Sequence, residues 1–171
     1  EKGHRTVVFL RNNESDYNRH SGYVVIFRES LLAHAKELGM TVIESEHYEA
    51  DSFDAQHFVS TVFAHPDRPT AIINQANASV LSQVLMALHD AGMSIPQDVS
   101  VLSCGTYFEG EPTRFPITEM PVMPEELCAE AMNLLVSAIE EHTDIKGSVE
   151  LIEPALKRRG SVAEAGSGGT I

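Results

Sequence analysis

Over its first hundred residues the chain alternates short β-branched or aromatic runs with longer amphipathic segments, and this alternation limits the possible folds more than any single motif does. Residues 7–10 (Val-Val-Phe-Leu), 41–43, 71–74 and 99–102 read as strands, the first ending at the polar stretch 11–18 as a buried parallel strand would. Between them, residues 19–38 place Tyr23, Phe27, Leu31, Ala35 and Leu38 at steps of three or four, and Gly39 follows where a left-handed C-terminal cap belongs. Residues 52–64 and 79–91 read as two further helices, the first followed by Pro66 and the second by Gly92. Strands separated by helices cannot be hairpin partners and pair in parallel through right-handed crossovers. The expected fold class is therefore α/β, an open parallel sheet with helices on both faces.

The remainder is less regular. Residues 103–123 hold Gly and Pro and read as a connection, and Pro124, Glu125 and Glu126 then open a helix over 124–141 with Leu127, Leu134, Leu135 and Ile139 as its apolar stripe. Residues 149–152 read as a last strand, confined by Pro154 to an edge or a strand end. The Gly/Ser-rich stretch 164–171 is expected to be a disordered tail.

Charge narrows the function. Twelve Lys and Arg stand against 25 Asp and Glu, a net charge of −13, and only Lys157, Arg158 and Arg159 cluster. A nucleic-acid backbone would be repelled by such a chain. The two cysteines, Cys104 and Cys128, form no CxxC, which suits free thiols in a reducing cytoplasm, the expected location. No apolar run approaches the roughly 20 residues of a membrane helix. The chain opens with Glu1 and runs almost at once into a strand, as a piece of something longer would.

In an open parallel sheet, ligands bind beyond the carboxyl ends of the strands. Here those connections are 11–18, 44–51, 75–78 and 104–116. With the start of the first helix they bring Arg11, Asn12, Asn13, Asp16, Arg19, Tyr48, Asn77, Thr106 and Tyr107, which supply donors, acceptors and stacking rings for a small polar molecule. Catalytic and metal sites are not expected. Cys104 lacks a Gly-x-Cys-x-Gly elbow, the eight histidines show no ligand spacing, and neither GxxxxGK nor GxGxxG occurs. Asn74, Gln75 and Ala76 stand where a phosphoacceptor domain would need an Asp. No cofactor is called for, and the chain does not read as an enzyme.

Several segments, taken in order, resemble the lactose-repressor (LacI) family. They are Gly3-His4-Arg5, Arg19-His20-Ser21-Gly22-Tyr23, Arg68-Pro69-Thr70-Ala71-Ile72, and Ala91-Gly92 with Ile95-Pro96-Gln97-Asp98-Val99-Ser100-Val101. Pro116-Ile117-Thr118, Glu125-Glu126-Leu127, and Leu151-Ile152-Glu153-Pro154 with Arg159 and Ser161-Val162 complete the series. The resemblance implies a ligand-responsive bacterial transcriptional regulator of the repressor type, with an effector-binding domain of the two-lobed periplasmic-binding-protein-like type I fold. The implied division is a C-terminal lobe over 1–123, a crossover helix over 124–148 that packs on the absent N-terminal lobe, and a final strand over 149–163 that returns to the C-terminal lobe. Operator DNA would be met only through an absent N-terminal helix-turn-helix, with no membrane partner.

The resemblance also implies effector contacts: Arg19 as a hydrogen-bonding arginine, Tyr48 as an aromatic that stacks on the effector ring, and Asn77 as a polar contact. It further implies a homodimer through the helix 79–91 and the connection 104–116, with a sugar-like or nucleoside-like effector. One departure stands out. Ser103-Cys104-Gly105-Thr106 occupies the place of a family Gly-Tyr-Asp whose Asp accepts hydrogen bonds from the effector, and Gly105 cannot do so. Glu109 and Glu111 are the nearby carboxylates. The alternative reading is a stand-alone small-molecule, sugar-like binding protein of the same fold.

Overall fold

The computed structural model describes residues 2–49, 52–106, 115–122, 124–142, 144, 146–147 and 149–166. Within these residues, five parallel strands, β1 (Thr6–Leu10), β2 (Thr41–Glu44), β3 (Ala71–Asn74), β4 (Ser100–Thr106) and β5 (Thr118–Pro121), lie in the order β2-β1-β3-β4-β5. Among the described residues, five helices accompany them: α1 (Glu14–Asn18), α2 (Gly22–Glu37), α3 (Ala55–Phe63), α4 (Ala78–Asp90) and α5 (Pro124–Glu141). The chain leaves β1 toward β2 on one side, then recrosses β1 to reach β3 and continues to β4. With right-handed crossovers, that reversal puts α2 on one face and α3 and α4 on the other.

Side-chain alternation along β1 serves both faces. Val8 and Leu10 join Ile72, Val99 and Val101 in the core beneath α3 and α4, while Phe9 meets Phe27 of α2 with ring centroids 5.9 Å apart. The helix α4 sinks Val80, Leu81, Val84, Leu85 and Leu88 into that core and leaves Met86 exposed. These residues pack on two sides, against the sheet and against α3.

Three differences from the sequence reading have local causes. The polar stretch 11–18 holds a short helix of its own, α1, which Asn13 caps by accepting from the Asp16 N–H at 3.1 Å, and the helix expected over 19–38 is α2, which begins only at Gly22. A fifth strand, β5, lies in the stretch read as a connection, too short to show period-two patterning. Residues 149–152 carry no strand pairing, with Val149 and Leu151 exposed. The return to the lobe comes later, through one antiparallel bridge between Glu119 and Lys157 and through Ser161. The Ser161 hydroxyl donates to the Val101 carbonyl at 2.6 Å and accepts from the Thr118 N–H at 2.7 Å.

The helix α5 stands apart from this core. Leu127, Met132, Leu135, Val136 and Ile139 are all 45% or more exposed, and Ala138 is its one buried side chain among those described.

Two outcomes are expected. In urea unfolding, Leu88→Ala should cost about 2–5 kcal/mol, since Leu88 is fully buried, while Met86→Ala on the same helix should stay within about 0.5 kcal/mol. Residues 1–171 expressed alone should bind 8-anilinonaphthalene-1-sulfonate through the α5 face. Replacing Leu135 and Ile139 by Lys should reduce that signal without changing the helical circular-dichroism spectrum.

Candidate functional site

Because the winding direction reverses between β1 and β3, the connections that follow them diverge and leave a crevice at their carboxyl ends. A cavity of about 590 Å³ occupies it, walled by the segments after β1 and β3, by the end of β4 and by the stretch that leads into β5. Asn12, Asn13 and Asp16 contribute from β1. Asn13 donates to the Asp16 carboxylate at 3.0 Å and to the Asn12 side-chain oxygen at 3.2 Å, an oxygen that also accepts the Asn13 N–H at 2.8 Å. These bonds engage one Asp16 oxygen and the Asn12 oxygen. The Asn12 amide N–H₂ and the second Asp16 oxygen have no partner among the described residues.

The β3 end is a buried polar platform. Asn74 is 1% exposed, and its amide donates to the Ala76 carbonyl at 3.1 Å and the Ser103 hydroxyl at 2.9 Å while accepting from the Ala76 N–H at 3.1 Å. A buried amide satisfied in this way fixes the turn after the strand. Gln75 ties the two connections together: it accepts from the Tyr17 hydroxyl at 3.2 Å and donates to the Val24 carbonyl at 3.4 Å. Asn77 caps α4 by accepting from the Val80 N–H at 2.9 Å, which leaves its amide donor uncommitted among the described residues.

The far wall carries charge. Glu119 of β5, buried, is held at 2.6 Å by Arg159, which also donates to the Ile117 carbonyl at 3.2 Å. Arg159, one of the three clustered bases of the sequence, is therefore a wall residue. Glu109 and Glu111 lie outside the described residues, and the described carboxylates on the cavity are Asp16 and Glu119. No group of three His, Cys, Asp or Glu suited to a metal ion occurs among the described residues.

Of the residues singled out in sequence, Asp16 and Asn77 line the cavity along with Asn12 and Asn13. Arg19 is exposed at the C-cap of α1, off the lining. Tyr48 is 8% exposed and does not face the cavity: its hydroxyl donates to the Arg11 carbonyl at 3.0 Å and its ring meets Phe53 edge-on at 4.9 Å. A ring packed this way forms part of the core in this arrangement. Arg11 is likewise buried, its guanidinium 4.2 Å from the Tyr17 ring centroid and 3.3 Å from Glu14, which His47 approaches at 2.6 Å. Thr106 closes β4 beside Pro121, while its side chain and all of Tyr107 lie outside the described residues.

Tyr23, Gln75, Ser103, Glu119 and Arg159 are cavity residues that the sequence pattern alone does not single out. Tyr23 reads as part of an apolar stripe, yet Val24 takes the buried place and turns Tyr23 toward the cavity.

Cys104 also lines the cavity, and burial pushes its thiol up to about 12. With the thiolate disfavoured in the folded chain, Cys104 contributes stability that is intact below pH about 9 and is lost as pH climbs toward 12. Iodoacetamide at pH 8 is expected to alkylate exposed Cys128 and spare Cys104 until denaturant is added, as peptide mass spectrometry would show.

Residues 1–162 match the family described as "Periplasmic binding protein-like domain". No curated protein matches the chain. Among solved structures, it is similar to a LacI family transcriptional regulator from Bifidobacterium animalis subsp. lactis, with a TM-score of 0.70 and 24% identity over 95% of this chain and 57% of the other. A LacI-family protein from Rhizobium etli, described as a transcriptional regulator, gives a TM-score of 0.69 and 20% identity over 95% and 58%. A LacI family regulator from Arthrobacter sp. FB24, solved in complex with lactose, gives 0.61 and 20% over 93% and 57%. The chain thus spans somewhat over half the length of these proteins and shares their fold. With its parallel sheet, its crevice at the reversal of winding and a match that runs from residue 1 to residue 162, the chain belongs to the family of periplasmic binding protein-like domains.

Proposed function

We propose that this chain is the effector-sensing part of a ligand-responsive transcriptional regulator of the LacI type, a repressor in which an N-terminal lobe and a helix-turn-helix complete the molecule. The observation that carries this reading is the 590 Å³ cavity at the strand ends, whose uncommitted Asn12 and Asn77 donors and Asp16 acceptor suit a small polar ligand. Its charged wall residues, Asp16, Glu119 and Arg159, sum to one negative charge and disfavour an anion. A neutral sugar or nucleoside is the favoured effector class, and the lactose complex of the Arthrobacter protein is consistent with it. Arg19, which lies off the cavity lining in this arrangement, and Thr106 are kept as further candidate contacts of such a ligand.

The remaining features follow the same reading. The exposed face of α5 is the surface that the second lobe would cover, and a homodimer would form through α4 and the segment after β4. A net charge of −13 leaves operator contact to the missing reader domain. No helix among the described residues is long and apolar enough to cross a membrane, and a cytoplasmic location fits a regulator.

The test is a thermal-shift screen of mono- and disaccharides and nucleosides on the full-length protein, followed by calorimetry. Asp16→Ala should weaken the best ligand by about tenfold or more, the loss expected from one charged hydrogen bond. Equal affinity would remove Asp16 from the site, and a screen with no stabilising ligand would sink the effector reading.

A further inference from the structure

Gly105 lies at the irregularity of β4, where the register with β5 shifts between Cys104 and Thr106. Its φ of +77° is in the left-handed region, which a strand tolerates at a bulge and which glycine adopts without strain. A Cβ at this position would lie 2.5 Å from the Tyr23 hydroxyl oxygen, 3.0 Å from Cε2 and 3.1 Å from Cζ. The first of these distances is shorter than real carbon contacts allow. A side chain at 105 and the phenol of Tyr23 therefore compete for one volume, and here the phenol has it.

Tyr23 is held in that place by its helix. It stands in the first turn of α2, whose next residue, Val24, accepts a hydrogen bond from Gln75, itself bonded by Tyr17. The ring remains 37% exposed, and Tyr23 and Gly105 both line the cavity. An aromatic face offers a ligand an apolar, polarisable surface without charge, where a side chain at 105 would offer a different volume and different polarity.

We propose that Tyr23 is a specificity-determining residue of the cavity, admitted by the missing side chain at Gly105, and that its ring meets a flat face of a neutral ring-shaped ligand. This rests on the reading of the cavity as the effector site. Tyr23 and Gly105 act as one unit: the wall presents an aromatic face where a 105 side chain would present its own group. The ligand selected is one whose ring face, rather than a polar edge, is turned to that wall.

Two experiments on the full-length protein test it. The first is a double-mutant cycle read by melting temperature, with Gly105→Ala, Tyr23→Ala and the pair, repeated with Gly105→Asn because Asn tolerates a positive φ better. The drop caused by the 105 substitution should be clearly smaller when Tyr23 is Ala, and equal drops in both backgrounds would overturn the competition. The second is calorimetry with lactose, galactose, glucose and adenosine as probes. A probe that binds should lose about tenfold in affinity with Tyr23→Ala and far less with Tyr23→Phe, and the selectivity between adenosine and the sugars should change. Unchanged affinity and selectivity in Tyr23→Ala would overturn the proposal and leave the effector reading standing. Binding of none of the four to the unsubstituted protein would overturn the proposal for these ligand classes, whereas a stabilising ligand found elsewhere in the wider screen would keep the effector reading.

Discussion

The direction in which the chain winds is the constraint on which the rest of the structure depends. A strand–helix–strand crossover is right-handed, so a chain that goes from β1 to β2 and then back across to β3 must send its helices to opposite faces. The connections after β1 and β3 then part company, and neither can fill the gap between them. No residue choice creates that crevice. Residue choice decides only whether it is lined with apolar side chains or with amides, hydroxyls and charges.

In this chain the lining joins apolar side chains such as Leu81, Phe115 and Ile117 to polar groups, and the energetic condition for the polar part is strict. A buried amide without partners costs about 1–3 kcal/mol, so a polar floor persists only if its members bond one another. Asn74 does so through the Ala76 backbone and Ser103, and Gln75 through Tyr17 and Val24. The same bonds that make the floor affordable also hold the β1 and β3 connections in register, which leaves Asn12, Asp16 and Asn77 on a fixed frame.

Much of the sheet was legible in sequence because buried parallel strands are nearly continuous apolar runs: the predicted 71–74 is β3 residue for residue, and helix 79–91 differs from α4 by one residue at each end. β5 was not legible, since Thr118–Pro121 mixes Thr, Glu, Met and Pro and earns its pairing from position beside β4 rather than from pattern. The site was partly legible. Asp16 and Asn77 follow from their places after strands, whereas Glu119 and Arg159 meet only because the C-terminal segment returns along β5, a contact between residues 40 positions apart that no local pattern encodes. Tyr48 shows how little a strand-end position says about direction, since its ring turns inward to Phe53.

The return of the C-terminal segment also gives α5 a particular mechanical standing. The chain leaves the sheet at Pro121 and comes back at Lys157, and the two leads are stapled to each other by the Glu119–Arg159 pair, the Glu119–Lys157 bridge and the bond from the Arg159 N–H to the Thr118 hydroxyl. The sheet is thus completed at the base of the excursion, and α5 adds little to its packing. Like a lever fixed at its root, the helix can transmit a load to the lobe chiefly through that stapled base, and Glu119 and Arg159 are at once its anchor and a wall of the cavity.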